Sequence, residues 1–442
     1  MTERDVRAWL DDHVNLERMV GVPSGSQRRM SPEPLSRMEA LVELLGSPQL
    51  QYPVVHITGT NGKTSVARMV TALLVADGLS VGTDTSPYLE RFNERMSWNG
   101  EPIPDVDLDD ILAHLADIED LLPERPSYFE LIHGAALEWF ADVAVDVAVV
   151  EVGLGGLWDA TNVVDGQVAV VTNVALDHVE YLGHTTAEIA REKAGIVKPG
   201  STLVLGETDP DLVPIFLAPR PAEVLVRHRD FAVRSNRRAV GGRVLDLATP
   251  WGTHGDVFLP LHGAHQGDNA VIALVAAEAF LGRGISEVVV VDAFASVTSP
   301  GRLEVVGREP LVVIDGTKNV AGAQAVRAAL DDEFPAARDG DVTRTWVVGI
   351  LRQKDALEML DALGVRPGDR VIATRPEIPR AREPREVADA AVTLGVEPDH
   401  VEVVDAVADA VRHAIDTSGP RDQVVVAGTL YVAGPARSAL VH

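Results

Sequence analysis

The chain has 442 residues, 46% hydrophobic and 24% charged, an ordinary globular composition on a chain too long for one typical core, so two or three domains are expected. Its 66 acidic against 39 basic residues leave a formal net charge of −27, which opposes adhesion to nucleic acid or anionic membrane, so any polyanionic ligand must be met by Lys and Arg concentrated locally. There is no cysteine, which excludes disulfides, thiolate metal sites and thiol nucleophiles and suits a cytoplasmic setting.

The N-terminal stretch MTERDVRAWLDDHV is charged and helical in pattern, without the basic-then-apolar layout of an export signal, and no apolar run is long enough to span a bilayer; a soluble cytoplasmic protein is expected. From residue 53 to about 208 the strand-like runs PVVHIT, VGTDTS, DVAVVEV, VAVVTNV and STLVLGE alternate with amphipathic stretches, which predicts a mostly parallel sheet covered by helices on both faces. Residues 223–262 break into short β-like pieces (EVLVR, FAVRS, RVLDLATP) and predict a small antiparallel insertion. A helix over HQGDNAVIALVAAEAFLG follows, and VTSPGRLEV supplies a Ser-Pro-Gly turn read as a hinge. Beyond it the alternation restarts through PLVVIDG, TRTWVVGI, DRVIAT, VEVV and QVVVAGT. The expected architecture is therefore two doubly wound α/β domains, 1–298 with the insertion near 223–262, and a smaller, Rossmann-like 299–442.

The first strand leads into VVHITGTNGKTS, a strand–glycine loop–helix layout that makes a phosphate cradle. Gly59 and Gly62 let backbone N–H groups turn toward an anion, Lys63 neutralises phosphate charge, and the Thr64 or Ser65 hydroxyl can ligate Mg²⁺. The general phosphate-loop pattern would place glycine at Ile57, so the motif here is the shorter Gly59-Thr60-Asn61-Gly62-Lys63-Thr64. Glu151 ends a buried strand before a glycine turn, as a Mg²⁺ ligand or a strand-end ion-pair partner, because a carboxylate there is costly to bury alone. The next strand ends in Asn173, Asp177 and His178; a histidine near a loop can be structural, but two neighbouring strands bring Glu151 and His178 to one edge, where they could share a metal. Lys193 reads from its spacing as no more than a helix C-terminal lysine. In the second half Arg302 lies just past the hinge, and Asp315 and Lys318 at a strand end; an arginine from a second domain can clamp a phosphate, and a strand-end acid can hold ribose hydroxyls. Together these predict an interdomain ATP site.

HITGTNGKTS, SPYLERFNERM (86–96), SYFE (127–130), EVGLGGLWDATN, LDHVEYLGHT, REKAGIVKPG, HGAHQGDNA, SPGRLE and DGTKNVAGA resemble, in order, the blocks of folylpolyglutamate synthase and dihydrofolate synthase, in the Mur ligase superfamily, from about residue 15 to residue 435. The resemblance implies an N-terminal Mur-ligase P-loop ATPase domain, a C-terminal glutamate ligase domain, and an ATP-dependent amide ligase. ATP phosphorylates a pterin carboxylate, and the amine of L-glutamate attacks the acyl phosphate. Substrates would be dihydropteroate or a reduced folate, L-glutamate and ATP with Mg²⁺, as two ions; no nucleic acid or membrane partner is implied, and the working unit would be a monomer. By resemblance, Gly59, Thr60, Asn61, Gly62, Lys63, Thr64 and Ser65 bind phosphates, and Gln266, Asn269, Arg302 and Asp315 bind the rest of the nucleotide. Thr64, Ser86, Glu151, His178 and Lys193, the last as a carbamate, hold metal. Ser86, Pro87, Tyr88, Phe92, Arg95, Phe129 and Glu130 meet the pterin substrate, and Lys63, Lys193, His178, Arg302 and Lys318 are catalytic.

Three departures stand out. The family usually has DGAHNP where this chain has Asp315-Gly316-Thr317-Lys318-Asn319-Val320, so lysine replaces a histidine near the phosphates. GGR is common where this chain has Gly155-Gly156-Leu157, and Thr64 stands where folate ligases more often carry glycine. Another Mur-type ligase or a catalytically impaired nucleotide-binding homologue are the alternatives; the SPYLERFNER block speaks against the first, and Lys318 and Leu157 favour the second.

Overall fold

The computed structural model describes residues 6–17, 33–335 and 342–441; residues 1–5 of the N-terminal helical stretch lie outside them. Strands β1 (Val54–Thr58), β2 (Val81–Asp84), β3 (Met96–Trp98), β4 (Glu101–Pro102), β5 (Val147–Glu151), β6 (Gly166–Val171), β7 (Thr202–Leu205) and β8 (Glu223–Val226) form one sheet in the order β4-β3-β2-β5-β1-β6-β7-β8. All neighbours from β2 to β8 pair in parallel, and β3 and β4 form an antiparallel edge. β1 sits at the centre, every residue buried, because helices cover both faces; its run of Val and Ile follows from that double burial. One face packs on helices Lys63–Ala76, His265–Leu281 and Glu287–Ser296, the other on Glu33–Leu44, Asp105–Ile118 and Tyr128–Asp142. Tyr128–Asp142 starts at a capping box, Ser127 accepting from the Glu130 N–H while Glu130 reaches back to the Ser127 N–H.

The insertion is shorter than 223–262. Glu223–Val226 is an edge strand of the main sheet, parallel to β7, with Leu225 and Val226 buried; β9 (Ala232–Ala239), β10 (Gly242–Thr249) and β11 (Gly252–Leu259) form the separate antiparallel sheet. The Pro-rich stretch before Glu223 hid that pairing partner, which lies in space rather than in sequence.

β12 (Glu304–Arg308), β13 (Leu311–Ile314), β14 (Arg344–Val348), β15 (Arg370–Arg375), β16 (Val401–Ala406) and β17 (Gln423–Ala427) build a second sheet in the order β12-β13-β17-β14-β15-β16. It is parallel from β13 to β16, with β12 as an antiparallel edge. Helices lie on both faces, so both sheets are doubly wound. Glu287–Ser296, left without an assigned element on sequence, is a helix despite four consecutive valines, started by the Ser286 side chain accepting from the Val289 N–H and held by burial of Val290, Ala293 and Phe294. Among the described residues no helix is long and apolar enough to cross a membrane.

The two bodies meet along their strand carboxyl ends. Elsewhere they are held by Glu333, whose carboxylate takes Arg243 Nη1 at 2.6 Å, His262 Nδ1 at 2.6 Å and the Gly263 N–H at 2.7 Å. Trp346 anchors the second core: fully buried, it donates Nε1–H to Asp369 at 2.9 Å and lies under the Arg344 guanidinium, 5.6 Å from the ring centre. Trp346→Ala should therefore lower unfolding stability by about 3–5 kcal/mol, since it leaves a cavity and removes one of the hydrogen bonds to the buried Asp369 carboxylate, which keeps the Arg366 N–H at 3.2 Å. Chemical denaturation of the purified variant measures this, and a loss below about 1 kcal/mol would remove Trp346 from the core.

Candidate active site

The glycine loop is fixed by the adjacent strand end. Thr60 N–H donates to Asn173 O and Asn61 N–H to Asn173 Oδ1, each at 3.0 Å, while Thr172 Oγ1 donates to Asn61 O at 2.6 Å. Gly62 is the N-cap of helix Lys63–Ala76 at φ +83°, and a Cβ there would also stand 2.6 Å from Asn269 Oδ1. Lys63 folds back so that Nζ donates to Gly59 O at 3.0 Å, holding an ammonium over a helix N-terminus.

Glu151 ends β5 beside β1, in register with Ile57, and is 3% exposed. Thr64 Oγ1 lies 2.9 and 3.1 Å from its two oxygens and the Ser86 N–H 3.4 Å away. Burial raises its pKa, with Lys63 opposing, so the carboxylate lacks a full counter-charge. Carboxylate, threonine hydroxyl and serine hydroxyl form a hard oxygen set that fits a Mg²⁺-like ion.

His178 follows β6 in a left-handed conformation (φ 49°), and its Nε2 lies 3.3 Å from Lys318 Nζ of the second body. Asp177 accepts from Lys354 Nζ at 2.5 Å and from Asn319 Nδ2 at 3.0 Å; Asn319 Nδ2 also reaches Asn61 Oδ1 at 3.0 Å, tying the second body to the glycine loop. Burial alone would raise Asp177, but His178, Lys318 and Lys354 hold it far below the carboxylate range. Burial, then Lys318, lowers His178 to about 3, and burial lowers Lys318 to about 8. Lys193 is 3% exposed and lowered well below an ordinary lysine, by burial first and then by Lys63. It faces a small cavity of about 20 Å³ that Lys63, Asp177, His178 and Lys318 also border.

A larger cavity of about 710 Å³ runs between the bodies. Thr60, Asn61, Gly62, Lys63, Thr64, Ser65, Glu151, His178, Gln266, Asn269, Arg302, Asp315 and Lys318 all border it, so the structure brings both halves of the predicted nucleotide set together; Gly59 and Lys193 border the smaller cavity instead. Ser65 Oγ lies 3.3 Å from Ser299 Oγ, which ties the loop to the hinge. Asp315 takes the N–H groups of Leu303 (2.9 Å) and Thr317 (2.7 Å), and burial raises its pKa.

Of the predicted pterin contacts, Ser86, Pro87, Phe129 and Glu130 border the cavity, whereas Tyr88, Phe92 and Arg95 do not. Arg95 is 1% exposed, pairs with Glu17 and lies 5.6 Å from the ring centre of Tyr88 and 6.0 Å from those of Phe92 and Tyr128. A buried guanidinium held by a carboxylate and three rings, with its Nε left without a hydrogen-bond partner, braces the 86–96 loop. Glu130 spends its carboxylate on its helix cap and on Arg37, at 2.9 and 3.1 Å. Sequence reasoning missed His265, Tyr181, Gln353, Lys354, Arg380 and Tyr431, which border the cavity or bind its rim; they are scattered over the chain and share no local pattern. Among the described residues no three His, Cys, Asp or Glu side chains gather as a metal cluster, so a cation here relies on hydroxyl groups and on whatever form Lys193 takes.

The sequence profile of the Mur ligase middle domain matches residues 124–277, and that of the Mur ligase glutamate ligase domain matches residues 301–430. The dihydrofolate synthase/folylpolyglutamate synthase of Mycobacterium tuberculosis is 40% identical, over 93% of this chain and 91% of that protein. The structure of Mycobacterium tuberculosis folylpolyglutamate synthase complexed with ADP superposes with a TM-score of 0.86 at 38% identity, covering 99% of this chain and 98% of that one. That of the bifunctional folylpolyglutamate synthase/dihydrofolate synthase of Yersinia pestis, complexed with AMPPNP and a Mn ion, gives 0.83 at 26% identity, covering 99% and 98%.

The pairing of Lys318 with His178 has a readable signature. In the metal-free protein the His178 imidazole should stay neutral from pH 8 down to 5, and Lys318→Ala should move its pKa up toward 6.5 by removing the adjacent cation. Because an unfolded histidine binds a proton that the folded one refuses, this group lowers stability as pH falls from 6.5 toward 3. Histidine NMR titration of both proteins tests the contact; an identical His178 titration in Lys318→Ala would refute it.

Proposed function

Because the chain belongs to the dihydrofolate synthase/folylpolyglutamate synthase family of ATP-dependent Mur ligases, we propose that it joins L-glutamate to dihydropteroate, to a reduced folate, or to both, through an acyl phosphate. The observation that carries this is one cavity in which the glycine loop, Lys63 and Glu151 of the first body face Arg302, Asp315 and Lys318 of the second. Phosphoryl transfer to a carboxylate brings two anions together; two unit charges 4 Å apart cost about 4 kcal/mol at an effective dielectric near 20. Lys63, Arg302 and Lys318 offset that repulsion and hold the γ-phosphate in line with the attacking carboxylate oxygen, whose new bond to phosphorus forms as ADP leaves. The glutamate amine then attacks the acyl carbon, phosphate departs, and the nitrogen loses its proton. Positioning dominates this second step.

Thr64, Ser86 and Glu151 would hold a first Mg²⁺, and His178 with Lys193 a second; when bound, these ions neutralise phosphate charge and polarise the transferred group. Lys193 suits the second position only as a carbamate: as an ammonium it adds a cation to a pocket already holding Lys63 and Lys318, whereas its burial keeps the amine neutral and able to take up CO₂. Gln266, Asn269 and Asp315 are the proposed contacts to the rest of ATP, and Phe129 with Pro87 the apolar wall for the pterin. A cytoplasmic monomer is the proposed working form, as the family resemblance implies.

ADP release should require L-glutamate together with a pterin acid, and dihydropteroate, tetrahydrofolate and no acceptor assayed side by side assign the substrate; release indifferent to both pterins would sink the proposal. Lys63→Ala should cut kcat/KM about a hundredfold or more, and wild-type turnover would overturn its role. Lys193→Ala should lose activity that formate or acetate partly restores, together with the carbamate signal seen by NMR in ¹³C-bicarbonate; normal turnover or a persisting signal would remove the carbamate.

A further inference from the structure

Residues 86–91 carry Ser86 and Pro87 on the cavity wall, yet the other end of this loop is held by the second body. Glu94 first closes the loop on itself, accepting the N–H groups of Leu89, Glu90 and Arg91 at 2.9, 3.1 and 2.8 Å. The last helix, Leu430–Val441, then packs onto it without clearance: a Cβ on Gly434 would stand 2.1 Å from the Leu89 carbonyl oxygen. One turn further, Arg437 Nη1 pairs with Glu90, and Ser438 Oγ donates to Glu90 at 2.6 Å. The same guanidinium places Nε 3.0 Å from both carboxylate oxygens of Glu304, which in turn accepts the Gly301 N–H at 2.8 Å in the segment that crosses between the bodies. A Cβ on Gly301 would stand 3.0 Å from Leu89 Cδ1, so loop, crossing segment and last helix touch pairwise. The side chains of Arg437, Glu90 and Glu304 are 17%, 12% and 22% exposed, which keeps solvent screening low.

Neither Glu90 nor Arg437 borders the cavity, so neither is placed to touch a reactant. We propose that Arg437 is a positioning residue: by bridging Glu90 of the loop to Glu304 at the start of β12, which itself holds the Gly301 N–H of the crossing segment, it sets Ser86 and Pro87 against Glu151 according to how the second body is seated. One planar fork suits this task because it pairs with two carboxylates at once, which a lysine ammonium does not reproduce. The loop then reports domain seating to the end of the cavity where Ser86 and Glu151 meet.

The role rests on the ligase reading, and a kinetic double-mutant cycle separates it from a plain stabilising clasp. Arg437→Gln should lower kcat for ADP release about tenfold to a hundredfold, the loss that follows from a displacement of about 1 Å at a site group. Arg437→Lys should recover part of it. In a Ser86→Ala background the same Arg437→Gln change should have little further effect on kcat, whereas its effect on the melting temperature should be equal in both backgrounds. Hydrogen exchange of the Leu89, Glu90 and Arg91 amides should quicken in Arg437→Gln, a readout that needs no turnover. Multiplicative kcat losses, unchanged loop exchange, or full activity of Arg437→Gln would each overturn the role. Should Arg437→Gln not fold, Glu90→Gln enters the same cycle, since it leaves the pair with Glu304 in place. A wild-type protein that releases no ADP with glutamate and a pterin acid would defeat the ligase reading instead, and the exchange result would still decide the loop coupling.

Discussion

The constraint on which everything else depends is electrostatic: a molecule of net charge −27 has to gather anions. It does so by burying cations where two sheets present their strand carboxyl ends to each other. Lys63, Lys193, Lys318, Lys354 and Arg302 all lie on or beside the two cavities, answered by the buried carboxylates of Glu151, Asp159, Asp177 and Asp315. Burial first, and then the neighbouring cations, depress both Lys193 and Lys318, and the same cations keep Asp177 ionised despite its burial. A site strained in this way without its ligands is stabilised by phosphate. Its unfavourable charge density is the reverse of the energy available for binding a triphosphate.

The second consequence concerns the two bodies. Lys318, Asn319 and Lys354 come from the second sheet but complete contacts to Asn61, Asp177 and His178 of the first, so the cation set exists only when the bodies meet. Two attachments away from the cavity hold that meeting, Glu333 against Arg243 and His262, and Arg437 against Glu90 and Glu304. The first fastens the antiparallel insertion, β9 to β11, to the end of helix Val320–Glu333. The insertion thus has a mechanical place in the molecule although none of its side chains borders the cavity.

How much of this could be read from the sequence follows from what kind of information each feature carries. The parallel sheets, the glycine loop and the strand-end Glu151 and His178 were legible because each is written in consecutive residues: apolar runs, glycine spacing, a carboxylate directly after a buried strand. Lys193 was not legible from spacing, since a helix C-terminal lysine looks ordinary until burial beside Lys63 makes it unusual. Arg95 misled for the opposite reason. A motif rich in charge and aromatic residues suggests a binding surface, but here Arg95 is buried against three rings and Glu17, and of the 86–96 block Ser86 and Pro87 border the cavity. β8 and helix Glu287–Ser296 were obscured because their neighbours in space, not their local composition, decide their form.

Lys318 stands where the resemblance leads one to expect a histidine, and the exchange has physical consequences. A histidine at this place would be a neutral or weakly basic donor and could itself share in holding a cation; the lysine is a stronger base on a flexible stem, lowered by burial to about 8, and it sits 3.3 Å from His178. As long as that contact persists, the imidazole is occupied and neutral, and a cation approaching His178 meets a like charge. The proposed carbamate on Lys193 would change the balance, because an anion in the same small cavity would attract Lys318 and a divalent ion alike. A triphosphate arriving from the Arg302 side offers Lys318 a better partner than a neutral imidazole does. The substitution therefore need not cost the second metal position.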